Sequence, residues 1–232
     1  MNKLKIIVLL GIILMFTSCA SVFMKDGYYS GEVPIKKDFG VVFASTTADK
    51  NIGNVLLTYV RLENVKTKKK TTLESRTCRI TSKSRGMGPL AKMIINWQSD
   101  GKPLNDQIET DTKCGTLLVA EVESGKYQLK RIRIESYDNG PAETRTRLYY
   151  RPSKKIIIDI KDNETVYLGS IHTDILRMSR GYHIRSASIS MNDNYIYDSK
   201  IFKQEYKILE DSLIKNSSII LEKKPWESTW FN

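Results

Sequence analysis

Residues 116–137 read TLLVAEVESGKYQLKRIRIESY, and this stretch decides the fold class. Residues 117–122 are an apolar run, Glu123-Ser124-Gly125 supplies a turn, and residues 126–137 alternate apolar with polar or basic side chains. That pattern is a β-hairpin with one face turned to a core. Its second strand has a phase fault. Tyr127 and Leu129 are odd, whereas Ile132 and Ile134 are even. Side chains alternate strictly along a strand, so no straight strand turns all four inward. A β-bulge near Lys130-Arg131 restores the phase.

Outward from this hairpin the same grammar repeats. Asp138-Asn139-Gly140-Pro141 turns the chain into a strand over residues 144–151. With that turn centred near Gly140, Arg133 faces Arg147, Arg131 lies near Tyr149, and Glu135 faces Arg145. Ile132, Ile134, Leu148 and Tyr150 then point inward, and Arg131, Arg133, Arg145 and Arg147 share the outer face. Like charges directly opposite one another weaken a sheet slightly. Planar guanidiniums suit phosphate, sulfate or carboxylate, so this face is the expected polyanion site. The plainer reading is a solvated face that discourages aggregation.

Upstream, residues 40–46, 55–65 and 71–80 read as strands, the last two joined by the basic tip Lys66-Thr67-Lys68-Lys69-Lys70. That tip reads as a solubilising loop. Residues 82–111 carry little pattern beyond a strand over 93–97. Downstream, residues 156–160 and 165–171 read as another hairpin about Lys161-Asp162-Asn163-Glu164. Residues 184–190 and 195–197 flank a turn at Asn192-Asp193-Asn194. Phe202, Tyr206, Leu209 and Leu213 form one helical stripe, which predicts a helix over 199–215 capped by Asp198 or Ser199. The closing aromatics, Trp226, Trp230 and Phe231, suit a lid on the core, or an exposed contact for a membrane or partner. Strands at this spacing without helices between them predict a mostly β chain: an antiparallel β-sandwich with one C-terminal α-helix.

Two pieces carry a resemblance. Residues 124–129, Ser-Gly-Lys-Tyr-Gln-Leu, resemble the Gly-x-Tyr-x-Leu hairpin of transthyretin-like and carboxypeptidase-regulatory-like sandwiches. Residues 163–171 are similar to a strand found in many uncharacterised bacterial lipoproteins. The likeness covers about residues 115–175 and implies an Ig-like or transthyretin-like sandwich with a binding or structural role. It carries no catalytic residues.

The start of the chain reads as an address. Lys3 and Lys5 precede an apolar run over residues 6–16, too short to span a bilayer and suited to an export signal. Phe16-Thr17-Ser18-Cys19 resembles the lipobox of bacterial lipoproteins, with Phe16 where such boxes usually carry leucine. The resemblance implies fatty acylation, palmitate included, at Cys19, which becomes the new N-terminus. Two or three chains at one thiol moor a soluble domain stably, since each buried methylene adds about 0.8 kcal/mol. Ala20 after the cysteine is compatible with transport to an outer membrane. The alternative is ordinary cleavage after Ala20 and free secretion. The expected organisation is signal 1–18, tether 19–37, β-sandwich 38–198, and a C-terminal helix and tail 199–232.

Charge and cysteines bound the chemistry. The chain carries 37 basic and 26 acidic side chains, a net +11; loss of Lys3 and Lys5 with the signal leaves +9. On an exported protein this favours an envelope or host polyanion, or another envelope protein, over nucleic acid. With Cys19 acylated, Cys78 and Cys114 remain, as a disulfide or as two buried thiols. No Cys-x-x-Cys occurs, and no metal or other cofactor is expected. His172 and Asp174, two apart on an extended segment, point to one side and are the candidates for an envelope hydrolase or metalloenzyme. A third metal ligand, or a serine in a recognisable turn, is missing from that pattern. Gly86 and Gly88 lack the Lys-Ser/Thr ending of a phosphate loop. The chain therefore reads as a non-enzymatic, lipid-anchored envelope protein.

Overall fold

The computed structural model describes residues 29, 31, 33–49, 55–77, 107–109, 113–137, 145–178 and 184–227. Along them run β1 (Phe39–Asp49), β2 (Val55–Asn64), β3 (Lys70–Thr77), β4 (Gln107–Glu109), β5 (Lys113–Glu123) and β6 (Gly125–Tyr137). Then come β7 (Arg145–Tyr150), β8 (Ile157–Ile160), β9 (Thr165–Met178) and β10 (Ile184–Asn192). The helix α1 (Tyr195–Glu205), a 3-10 turn (Lys207–Leu209), β11 (Ile214–Asn216) and β12 (Leu221–Glu227) complete the order.

The strands form two sheets. One has seven strands in the order β12-β10-β9-β1-β5-β4, with β11 also beside β9. The other has five in the order β3-β2-β6-β7, with β8 also beside β6. The two share one core, in which Val42, Ala44 and Leu118 of the first sheet join Val60, Leu62 and Ile132 of the second. The Thr46 and Thr58 hydroxyls, both buried, share a 2.9 Å hydrogen bond within this space. A second apolar cluster covers part of the other face of the seven-stranded sheet. There Phe43 stacks on Phe202 of α1, and Phe202 on Tyr206, at centroid distances of 4.1 and 4.8 Å. Tyr29, in the stretch read as a tether, is buried in the same cluster and stacks on Tyr206.

The phase fault in β6 is resolved by a bulge. Arg61 of β2 pairs with Arg131, yet its neighbour Leu62 pairs with Leu129, so Lys130 is left without a cross-strand partner. Tyr127, Leu129, Ile132 and Ile134 are consequently all buried. At roughly 1.5–3 kcal/mol for each large apolar side chain, the bulge that absorbs the extra residue has a large effect.

Two expectations about the strands are corrected. The pairing is not purely antiparallel, because β9 runs parallel to both β1 and β11. Residues 156–160 and 165–171 do not form a hairpin: β8 pairs with β6 in one sheet, and β9 joins the other. The turn between them carries the chain from sheet to sheet. Asn163 takes a left-handed conformation (φ 57°), and Glu164 Oε2 accepts a 2.9 Å hydrogen bond from the Lys161 N–H.

The helix is also displaced. It begins at Tyr195, where a strand was expected, and ends at Glu205 rather than Lys215. Asp193 Oδ1 accepts the Tyr195 N–H at 3.0 Å, supporting the first turn. Phe202, Tyr206 and Leu209 are buried, but Leu213 is 91% exposed. The 3-10 turn brings Leu209 inward after the α-helix has stopped, so the stripe runs past the helix itself. Asp198 is not a cap; it lies inside the first turn, fully buried. β12 holds Pro225 and Trp226 at the sheet edge, where a missing N–H is tolerated. Trp230, Phe231 and the strand expected over 93–97 lie outside the described residues.

Candidate functional site

The outer face of the five-stranded sheet carries most of the expected site. Burial of Ile132, Ile134 and Leu148 on the inner face sends Arg131, Arg133 and Arg147 to the other side. The register differs from expectation by two residues along β7. Arg133 faces Tyr149, Glu135 faces Arg147, and Tyr137 faces Arg145. A shift of two preserves the face while changing every partner. Arg147 therefore meets a carboxylate rather than another arginine.

That carboxylate organises one end of the face. Glu135 is only 3% exposed; its Oε1 accepts Arg147 Nε at 3.0 Å and lies 3.3 Å from Arg133 Nε. Tyr59 Oη donates to its other oxygen at 3.4 Å. The Arg133 guanidinium sits 3.9 Å above the Tyr59 ring, and the Arg131 guanidinium 5.6 Å from the Tyr149 ring. Aromatic rings thus hold two planar cations in place.

β2 adds a residue that the sequence reading missed. Arg61 faces Arg131 directly on the next strand. Among the described residues neither has an ion-pairing carboxylate. The buried Nε atoms of Arg61 and Arg133 also lack a hydrogen-bond acceptor there. The signal was present in the alternation of Tyr59, Arg61 and Glu63 against Val60 and Leu62, but the strand pairing that brings Arg61 to Arg131 was not. Arg145 is placed by register at the far end of β7.

His172 and Asp174 lie on the outer face of the seven-stranded sheet, beyond the part covered by α1. They do meet hydroxyl groups. Thr47 Oγ1 lies 2.9 Å from His172 Nδ1, His172 Nε2 lies 2.8 Å from Asp174 Oδ1, and Ser188 Oγ donates to Asp174 Oδ2 at 3.3 Å. Three neighbouring strands, β1, β9 and β10, supply this chain of polar groups. Among the described residues no group of three or more His, Cys, Asp or Glu side chains is placed to hold a metal ion.

A second buried polar cluster fastens α1 to the same sheet. Asp198 accepts hydrogen bonds from Ser45 Oγ at 2.5 Å, Tyr167 Oη at 2.6 Å and Asn194 Nδ2 at 3.3 Å. Burial raises the Asp198 carboxyl above the ordinary range, and its hydrogen bonds partly oppose that rise. Burial likewise raises the Tyr167 phenol, reinforced by the neighbouring Asp198.

Cys114 stands in β5 opposite Ala48, while Cys19, Cys78 and the side chain of Cys114 lie outside the described residues. Among those residues no helix is long and apolar enough to cross a membrane.

No family model matches this chain, and no curated protein matches it. Among solved structures, a leucine-rich repeat protein from Bacteroides thetaiotaomicron is similar at 10% identity and a TM-score of 0.29. The match covers 58% of this chain and 14% of the other.

Proposed function

We propose that this protein is a lipid-anchored, non-enzymatic envelope protein of the Ig-like or transthyretin-like sandwich type. Its arginine face binds an anionic partner. The signal-like residues 3–16 and Cys19 support the anchor, with an outer membrane as the destination. The two sheets about one core support the sandwich.

One observation carries the binding role: Arg61 and Arg131 face each other without a carboxylate among the described residues, while Glu135 already serves Arg133 and Arg147. An external anion supplies the missing countercharge. The test compares the mature protein with Arg61→Gln/Arg131→Gln on immobilised heparin. The variant should elute at clearly lower salt while its thermal melt is retained. Equal elution would remove this reading.

A second reading, an envelope hydrolase, is favoured by the Thr47–His172–Asp174 chain, whose hydroxyl, imidazole and carboxylate follow the order of a nucleophile, its base and an orienting acid. It requires ester or amide hydrolysis that disappears in both Thr47→Ala and His172→Ala.

A further inference from the structure

The arginines do not stand alone on their face. Tyr149, on the same face, is 42% exposed. Arg133 lies across the ladder from it, Arg147 two residues away on the same strand, and the Arg131 guanidinium 5.6 Å from its ring. One guanidinium thus lies against a partly open aromatic ring, and two more arginines occupy neighbouring positions of the same face, directed to Tyr59 and Glu135. Tyr59, a second ring on this face, is buried at 7% exposure beneath Arg133.

This arrangement discriminates among anions. A bare phosphate chain would use the guanidiniums and leave the ring idle. A single-stranded nucleic acid is held by several rings on which successive bases stack. Among the side chains described on this face, Tyr149 alone presents an open ring. A sugar ring offers an apolar C–H face to an aromatic plane, and a carboxylate or sulfate on that sugar reaches a guanidinium beside it. Same-face residues recur about every 6.8 Å along a strand, so an extended chain lying along β6 and β7 would meet cations repeatedly.

We infer that the face formed by Arg61, Arg131, Arg133, Arg147 and Tyr149 binds an acidic polysaccharide, with one sugar ring stacked on Tyr149 and its anionic group held by Arg131. This rests on the polyanion reading and narrows it to one class of polymer.

The experiment measures affinities of the full mature chain in detergent for three probes: polygalacturonate, polyphosphate and the oligonucleotide dT30. Wild type is compared with Tyr149→Leu, which keeps bulk without the ring, and with Tyr149→Phe, which keeps the ring. Tyr149→Leu should weaken polygalacturonate binding about tenfold, whereas polyphosphate changes less than about twofold and Tyr149→Phe stays near wild type. Equal effects of Tyr149→Leu on both polymers, or no effect on either, would overturn the stacking. Binding of polyphosphate without polygalacturonate would also end the polysaccharide assignment, and the polyanion reading would survive it. Tighter, ring-dependent binding of dT30 would replace the polysaccharide with nucleic acid. If wild type bound none of the three, the polyanion reading itself would fall.

Discussion

Arg61 on β2 and Arg131 on β6 are cross-strand partners, two guanidinium-bearing side chains set side by side on one sheet face. Directly opposed like charges weaken a sheet by a few tenths of a kcal/mol to about 1 kcal/mol. Arg61 also carries a buried Nε without an acceptor among the described residues. Arg61→Gln should therefore raise stability by about 0.5 kcal/mol in urea unfolding, while weakening retention on a polyanion. A loss of stability would mean that the pair is held for the sheet rather than for a ligand.

Glu135 has the opposite role. It is 3% exposed and serves Arg133 and Arg147 together. Glu135→Gln leaves two guanidiniums without their counterion and should destabilise the protein by about 2–4 kcal/mol, less than a fully buried pair because Arg147 is half exposed. The same change adds one positive charge to the face, so polyanion binding should tighten. Unfolding and binding measured on one sample would separate the two effects.

Lys130 is the hinge of the core pattern. Deleting it leaves Tyr127, Leu129, Ile132 and Ile134 in one unbroken alternation, so a straight strand can turn all four inward without the bulge. The deletion removes only the Lys130–Glu63 ion pair at the surface, worth at most about 1 kcal/mol. The expected result is a cooperative melt close to wild type with near-ultraviolet dichroism retained, and a shallow, non-cooperative melt would contradict the phase argument. Lys130→Ala, which keeps the spacing, should melt close to wild type.

Asp198 should show itself through pH. Its carboxyl is raised above the usual value by burial. The stability contributed is therefore complete below the unfolded-state value and is lost as pH rises through the folded-state value. Relative to Asp198→Asn, which does not titrate, wild type should lose stability on going upward from about pH 4. Asp198→Ala leaves the Ser45 and Tyr167 hydroxyls without this acceptor and should cost about 2–4 kcal/mol, undocking α1. A pH-independent difference between wild type and Asp198→Asn would contradict this assignment.

The parts of this molecule that were legible in its sequence are those fixed by local alternation. The bulge could be read because a period of two tolerates no error: four apolar side chains in two phases require one inserted residue. The outer placement of Arg131, Arg133 and Arg147 followed from the same parity, and survived a two-residue error in register for that reason. What was lost depends on contacts distant in the chain. Nothing local says that β9 lies parallel to β1, or that β8 and β9 part company at Asn163. Arg61 escaped notice because only the β2–β6 pairing brings it to Arg131. Asp198 looked like a cap because an aspartate before a helical stripe usually is one. Its burial follows from Ser45 and Tyr167 on two other strands. The helix was drawn too far because a 3-10 turn keeps Leu209 in line with Phe202 and Tyr206.

The central claim is where an anion lands, and arginine-selective labelling with phenylglyoxal, read by mass spectrometry with and without heparin, addresses it directly. Protection should concentrate on Arg61, Arg131 and Arg147, while amine labelling of the exposed hairpin lysines Lys66, Lys68 and Lys70 stays unchanged. Protection of those lysines alone, with the three arginines labelled equally in both samples, would contradict the claim and leave diffuse positive charge as the basis of binding.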